Sequence, residues 1–372
     1  MKKALYFTLL STILIMTSCH DAMYVIKSPD KKYKYSMAKK WYYEKNYVQC
    51  IPVIENLLSA YKGTDTAEQL YFMLAESYFN NKDYIVAAYH YKTFKDLYSK
   101  NEKAEIASLR LADCYKNDIP RLELEQSDTE KAIEYYNVFL SEYPNSSFTN
   151  EALANLKTLK RRLELKALDA ANLYYKTENY RAAAVTYKNV INKYPEIEEY
   201  EYLMYKISKS YYMFAEQSIL SKQSNRYETT INEGQSFLNR FPNSKYKSEI
   251  VEVIENSKVK VLESAYKHAN SYFKLDERPI YFSEAISLYN EFSSEIKSKP
   301  ISLQNFLDKC YIGILNSSYY IVEDTKDKNL KAQQYQLFQT NYNKYINLFT
   351  KNSSELKTAE ELYHKINQLI KS

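Results

Sequence analysis

One side chain in this 372-residue chain stands where covalent chemistry is expected, and it is Cys19. It follows Met16-Thr17-Ser18, and before those come a basic head, Met1-Lys2-Lys3, and a charge-free run from Ala4 to Met16. That run is too short to span a bilayer and has the length of a secretory signal core. Small residues directly before a cysteine resemble a bacterial lipobox, whose cysteine becomes the lipidated first residue once residues 1–18 are removed. Acyl chains there anchor a protein without making it span, so the membrane is met through a covalent lipid alone. The competing reading is an unlipidated signal peptide with an incidental cysteine. His20, not aspartate, follows Cys19; by analogy with enterobacterial sorting this favours the outer membrane. Residues 19–31 show no clear period and read as a lipid-anchored tether.

The rest of the chemistry search is negative. Gly63, Gly234 and Gly313 are isolated, which excludes phosphate-cradling and dinucleotide loops. His20, His90, His268 and His364 lie far apart with no second ligand at helical spacing, so no metal and no cofactor is expected. No serine stands in a nucleophile elbow. Glu151, Glu164 and Asp169 fall on polar helix faces, where solvated charge is the ordinary reading of a carboxylate. No catalytic residue is assigned, and the chain reads as a non-enzyme. Cys50, Cys114 and Cys310 are odd in number, lack paired spacing and suit buried filler. A formal net charge of +5, which falls by two when Lys2 and Lys3 leave, is too mild to imply nucleic acid. One basic cluster remains: Lys157, Lys160, Arg161, Arg162 and Lys166, on a helix expected from about Asn150 to Lys176. Such a face either docks an acidic partner surface or is simply solvated.

The elements that carry these residues are set by a repeat. Tyr61, Tyr98, Tyr143, Tyr194 and Phe241 each follow a large apolar residue by four (Leu57, Phe94, Phe139, Val190, Phe237). Seven residues before the apolar one stands a small side chain: Cys50, Ala87, Ala132, Ala183 or Thr230. Pro144, Pro195 and Pro242 close the last three copies, since proline cannot continue a helix. Ala38, Ala75 and Ala112 recur 37 residues apart, each with an aromatic three residues on: Trp41, Tyr78, Tyr115. A small and a large residue three apart share one helix face, the first admitting a neighbouring helix and the second filling the space beside it. Second helices are expected to open near Tyr47, Tyr84 and Tyr180, after the polar triplets Glu44-Lys45-Asn46, Asn81-Lys82-Asp83 and Thr177-Glu178-Asn179.

Self-similarity at this period marks a helical repeat array, and 3 glycines with 8 prolines leave few helix breakers. The fold class is all-α: a tetratricopeptide-repeat superhelix of about five repeats with a helical C-terminal extension. Ala269 and Tyr272, then Ala285, Tyr289, Phe292 and Ile296, suggest a sixth, expanded unit. Two amphipathic helices follow, marked by Tyr335 to Phe349 and by Ala359 to Leu369. In such arrays the first helix of each pair lines the concave surface. Tyr35, Tyr42, Phe72 and Phe79 are placed near that surface, where aromatic rings suit an extended chain of no fixed sequence. The alternative is that the same rings complete the core between repeats.

With the repeats, the lipobox and the turns in place, the chain resembles the BamD family, lipoproteins of the outer-membrane β-barrel assembly (BAM) machinery, in its Bacteroidetes form. Tyr61-Lys62-Gly63-Thr64 with Ala67-Glu68 resembles the family's first inter-repeat link. Leu124-Glu125-Gln126 with Thr129 and Ala132-Ile133 resembles its insertion in the third repeat. Phe139-Leu140-Ser141-Glu142-Tyr143-Pro144-Asn145-Ser146 is similar to its repeat ending, which returns from Phe237 to Ser244. Ala215-Glu216-Gln217-Ser218 through Arg226-Tyr227 resembles its fifth-repeat hairpin. The resemblance covers about residues 19–262, with the repeat domain at 32–262, and leaves 263–372 as an extension to which the family gives no role.

The resemblance implies a lipid-anchored scaffold on the periplasmic face of the outer membrane. It implies binding to the periplasmic domains of BamA and presentation of unfolded outer-membrane β-barrel proteins, with the substrate end in the N-terminal repeats and the BamA end in the later ones. Two other readings stay open. One is a SusD-like surface binder, although the single Trp41 sits in a packing slot here. The other is a cell-envelope adaptor. Mass spectrometry of the mature N-terminus is expected to find acylated Cys19, and Cys19→Ser to lose palmitate labelling; an unmodified mature chain beginning elsewhere would sink the anchor.

Overall fold

The computed structural model describes residues 21–272, 274–297, 300–349, 353 and 355–371, without the side chains of 220 and 300–302. Among the described residues there are helices and turns and no strand. A helical stretch at residues 21–27 is followed by α1 (Lys31–Tyr43), α2 (Tyr47–Leu58), α3 (Asp65–Asn80), α4 (Tyr84–Leu97), α5 (Ala104–Asn117), α6 (Ser127–Glu142) and α7 (Thr149–Lys176). Then come α8 (Tyr180–Lys193), α9 (Tyr200–Glu216), α10 (Leu220–Arg240), α11 (Lys247–Ser271), α12 (Arg278–Phe292), α13 (Pro300–Asp324), α14 (Lys328–Leu348) and α15 (Leu356–Lys371). Helices adjacent in sequence pack on one another through most of the chain, the local connectivity of a tetratricopeptide-type α-solenoid. Two compact units divide at Lys166 and Ala167, inside α7.

The small slots are the points of closest approach. Ala38, Ala75 and Ala112 on first helices, and Cys50, Ala87, Ala132, Ala183 and Thr230 on second helices, are wholly buried. The three polar triplets end their first helices in one way. Lys45, Lys82 and Glu178 take φ of 58°, 68° and 60°, and the next residue's N–H reaches back five positions, as from Asn46 to the Trp41 carbonyl at 2.8 Å. This left-handed C-cap satisfies terminal carbonyls, although a side chain other than glycine is strained there. Second helices end on the aromatic slot. Tyr98, Tyr143, Tyr194 and Phe241 share φ near −127° to −129°, and each N–H donates to the carbonyl of the large apolar residue four before it. Ser99 follows Tyr98, so the ring and its hydrogen bond make this ending without proline.

Three expectations are corrected. The tether is helical over residues 21–27, and Ala22 and Val25 are buried against Trp41, Ile54 and Leu57; a short apolar face is enough to dock it. A boundary at 262/263 falls inside α11, where Val261 and Leu262 are buried and the helix continues. The 25-residue α13 has no counterpart among the expected elements, although Leu303, Phe306, Leu307, Cys310 and Ile314 give it an apolar face. Its Gly313 is required by contact: a Cβ there would lie 2.4 Å from the Phe282 ring.

Ala87→Trp and Ala183→Trp overfill sites with no exposed surface and are expected to cost about 1–3 kcal/mol each, read as a lowered urea midpoint. Unchanged midpoints in both would show that these are not the helix-helix contacts.

Candidate functional site

The first helices of the N-terminal unit carry the four aromatic residues singled out from sequence, in two pairs seven apart on α1 and α3. Tyr35 is half-buried; its hydroxyl donates to Gln69 Oε1 at 2.7 Å, and its ring meets Tyr61 at 6.1 Å. Tyr42 is half-buried beside Tyr43 and Tyr47, and burial, with the Glu76 charge behind it, pushes its phenol up to about 12. Phe79 is half-buried against Tyr84 and Tyr91, with the Arg110 guanidinium 5.1 Å from its ring centre. Phe72 differs: it is buried among Ala75, Tyr91 and Phe94, so this ring belongs to the core and not to an open groove. Tyr35, Tyr42 and Phe79 therefore offer ring edges, with Lys39 5.5 Å from the Tyr35 ring centre adding a second cation.

A line of polar groups runs beside these rings. The Tyr91 hydroxyl donates to Glu76 Oε1 at 2.5 Å, and Arg110 lies 3.9 Å from the same carboxylate. Arg110 Nη1 donates to Asp113 Oδ2 at 3.1 Å; Lys116 Nζ and the Tyr136 hydroxyl meet Asp113 Oδ1 at 3.2 and 2.5 Å. The Asp113 side chain is only 3% exposed, so two cations and a phenol compensate a charge withdrawn from water. Asn155 on α7 donates to the Tyr136 oxygen at 3.1 Å. Burial first, then the adjacent carboxylate, pushes the phenols of Tyr91 and Tyr136 well above the ordinary tyrosine range, so both remain donors.

This latch was missed at the level of sequence, yet it repeats in register. Glu76, Asp113 and Asn172 each follow a buried alanine directly, and Tyr91, Tyr136 and Tyr187 each stand four after the small slot of the next helix. Tyr187 donates to Asn172 Oδ1 at 2.7 Å, and Tyr227 donates to Glu216, which follows Ala215. A period in polar residues beside the small ones was the available signal.

The basic cluster on α7 does not act as one face. Lys157 and Lys160 are exposed. Arg161 pairs with Glu164 at 3.0 Å, one turn along its own helix. Arg162 Nε donates to Gln126 Oε1 at 2.8 Å, and its Nη2 donates to the Pro120 carbonyl. Lys166 Nζ donates to the carbonyls of Leu122, Glu123 and Leu124 at 2.8, 2.8 and 2.9 Å. Gln126, itself buried, donates to the Arg121 and Leu124 carbonyls and accepts from Thr129. Arg162 and Lys166 thus fold the 118–126 loop onto the helix, because its carbonyls have no ladder partner and need donors. Only Lys157 and Lys160 present freely exposed charge of the kind a partner surface would meet.

Cys19 lies outside the described residues. Cys50, Cys114 and Cys310 are buried free thiols, and burial pushes Cys50 up to about 11 and Cys310 up to about 12, far from a reactive thiolate. Among the described residues no group of three His, Cys, Asp or Glu is placed to hold a metal ion, and no helix is long and apolar enough to cross a membrane. The arrangement offers rings, paired charges and half-buried edges.

The protein family described as "YfiO: Outer membrane lipoprotein" matches residues 28–225 and 167–287. The outer membrane protein assembly factor BamD of Pasteurella multocida (strain Pm70) is 24% identical over 209 residues, 53% of this chain and 80% of that protein. Among solved structures, the TPR2AB-domain:pHSP90 complex of yeast Sti1 covers 75% of this chain and 98% of its own, at 12% identity and a TM-score of 0.31. A tetratricopeptide repeat protein from Parabacteroides merdae ATCC 43184 covers 91% and 99%, at 11% identity and a TM-score of 0.26.

Tyr136→Phe removes a phenol from a buried carboxylate and is expected to cost about 1–3 kcal/mol. Tyr78→Phe, whose hydroxyl donates to Glu55 at the surface, is expected to cost less than about 0.5 kcal/mol. Equal urea midpoints for the two variants would show that burial does not strengthen the latch.

Proposed function

The chain belongs to the YfiO family of outer membrane lipoproteins, and we propose that within it the chain is a non-enzymatic scaffold of the outer-membrane β-barrel assembly complex. The observation that carries this is the family match, which runs from residue 28 to residue 287 and so takes in both units. The similar BamD of Pasteurella multocida supports the same reading, since it is an outer membrane protein assembly factor. In this reading Cys19 bears the lipid that holds the chain on the periplasmic face of the outer membrane.

The scaffold binds the periplasmic domains of BamA and presents unfolded outer-membrane proteins for insertion. Tyr35, Tyr42 and Phe79 form the substrate strip. Tyr35 and Tyr42 stand seven residues apart on α1 and Phe79 on the next first helix, all half-buried and so restrained in orientation, with Lys39 and Arg110 over the Tyr35 and Phe79 rings. An unfolded barrel strand alternates apolar and polar side chains, and a strip of ring edges and cations accepts both without a fixed sequence. Lys157 and Lys160 remain as the exposed charges of α7 for docking an acidic partner surface. The repeats from α1 through α11 do this work, and the helices from α12 onward lengthen the array.

Photo-crosslinkers at Tyr42 and Phe79 are expected to capture unfolded barrel proteins and not BamA, while pull-down of the native complex recovers BamA. Capture of BamA alone at both positions would reverse the two ends. Recovery of a TonB-dependent porin, or of neither partner, in the pull-down would replace the assembly role with a surface binder or an adaptor.

A further inference from the structure

The N-terminal helical stretch at residues 21–27 does not hang free of the first repeat. Ala22 is 5% exposed and Val25 2% exposed, both inside the core cluster formed with Trp41, Ile54 and Leu57, and Ile26 packs against the same cluster. The opposite side of the stretch is bare: Met23 is 52% exposed and Tyr24 71% exposed. Lys27 lies one turn from both, and Lys31 and Lys32 follow at the start of α1; all three are exposed. Two acids belong to this segment: Asp21, exposed at the start of the stretch, and Asp30, which caps α1, its Oδ1 accepting from the backbone N–H of Lys32 and Tyr33 at 2.8 and 3.2 Å. The exposed side of the stretch therefore carries a large aromatic, a methionine and Lys27, with Asp21 exposed at its start and Lys31 and Lys32 following on α1.

Covalent geometry says what this face meets. Ala22 is fixed in the core, and only His20 and Asp21 stand between it and Cys19, so three Cα–Cα steps of extended chain reach at most about 10–11 Å between them. If the acyl chains of Cys19 enter a bilayer, the core of the first repeat is held within that reach of the lipid headgroups. This argument rests on the lipid-anchor reading of Cys19. We propose that Met23, Tyr24, Lys27, Lys31 and Lys32 form a second membrane contact, docking the first repeat on an anionic phospholipid surface beside the anchor. Tyr24 sits at the headgroup level, where an amphipathic ring is favoured, and the lysine stems lie along the interface with their ammonium groups in the phosphate layer. Each lysine close to an anionic surface strengthens binding roughly fivefold. A lipid chain joined to a basic patch fixes an orientation that a lipid on a free tether does not.

The test uses the mature lipidated chain carrying Tyr24→Cys with a fluorophore, reconstituted in phosphatidylcholine vesicles with or without phosphatidylglycerol and containing headgroup spin-labelled lipid as quencher. Labelling is selective because the cysteines at 50, 114 and 310 are buried. Ile85→Cys is the control, exposed at 74% on the same unit and far along the chain from the anchor. Quenching at position 24 is expected to exceed that at 85 severalfold, to rise with phosphatidylglycerol, and to fall to the level of 85 when Lys27→Gln, Lys31→Gln and Lys32→Gln are combined. Circular dichroism checks that the combined variant keeps its helices. An acylated chain that floats with the vesicles but is quenched equally at both positions overturns the membrane contact alone, and leaves this face to a protein partner. An unacylated mass without flotation overturns the anchor reading, and this contact with it.

Discussion

The helix pairs of the repeats share one steric constraint: at the recurring buried slots the side chain is no larger than alanine, cysteine or threonine. Ala38, Ala75, Ala112, Cys50, Ala87, Ala132, Ala183 and Thr230 meet it and have no exposed surface at all. Close approach at these points leaves space on either side, and the large side chains fill it: Leu57, Phe94, Phe139 and Phe237 are buried to within 1%. At Gly313 on α13 the missing side chain is what admits Phe282.

Close approach also brings polar groups together that would otherwise stay in water. The residue after a first-helix alanine and the tyrosine four after a second-helix small residue face each other, giving Glu76 with Tyr91 and Asp113 with Tyr136. Such a pair adds direction to a packing force that has none. An apolar seam tolerates a helix sliding or rotating by part of a turn, whereas a slipped seam would strand Asp113 without Tyr136 in a place water does not reach. The same logic closes the C-terminal helices, where buried Asp308 accepts from Tyr345 and Ser353 at 2.8 and 2.6 Å. The latch thus fixes the register between the helices it joins.

The charge of the α7 cluster goes largely into structure. Of the five basic residues in the α7 cluster, one pairs with an acid on its own helix and two hold the 118–126 loop, where Leu124, Gln126 and Thr129 are engaged in hydrogen bonds. Around the first-helix rings, by contrast, cations lie over aromatic faces: Arg110 over Phe79, Lys39 over Tyr35 and Lys103 over Phe72. Arg110 does both, since it also pairs with Asp113 and Glu76.

The repeat, its helix boundaries at Tyr47, Tyr84 and Tyr180, its turn triplets and its aromatic endings were legible in the sequence, because each is decided by neighbours within one or two turns. The small slots were legible for the same reason: a periodic restriction on size leaves a periodic trace in composition. The family resemblance followed from the order of these local pieces. Four things were decided only by the tertiary structure, because each depends on which surfaces meet across tens of residues. The stretch at 21–27 docks through just Ala22 and Val25; Phe72 turns into the core while Phe79, seven residues on, stays at its edge. Arg162 and Lys166 point at loop carbonyls more than 40 residues back, and Asp113 finds its phenol 23 residues ahead. Sequence spacing assigns a residue to a face of its helix; only the packed neighbour determines whether that face meets water, a ring or an unpaired carbonyl.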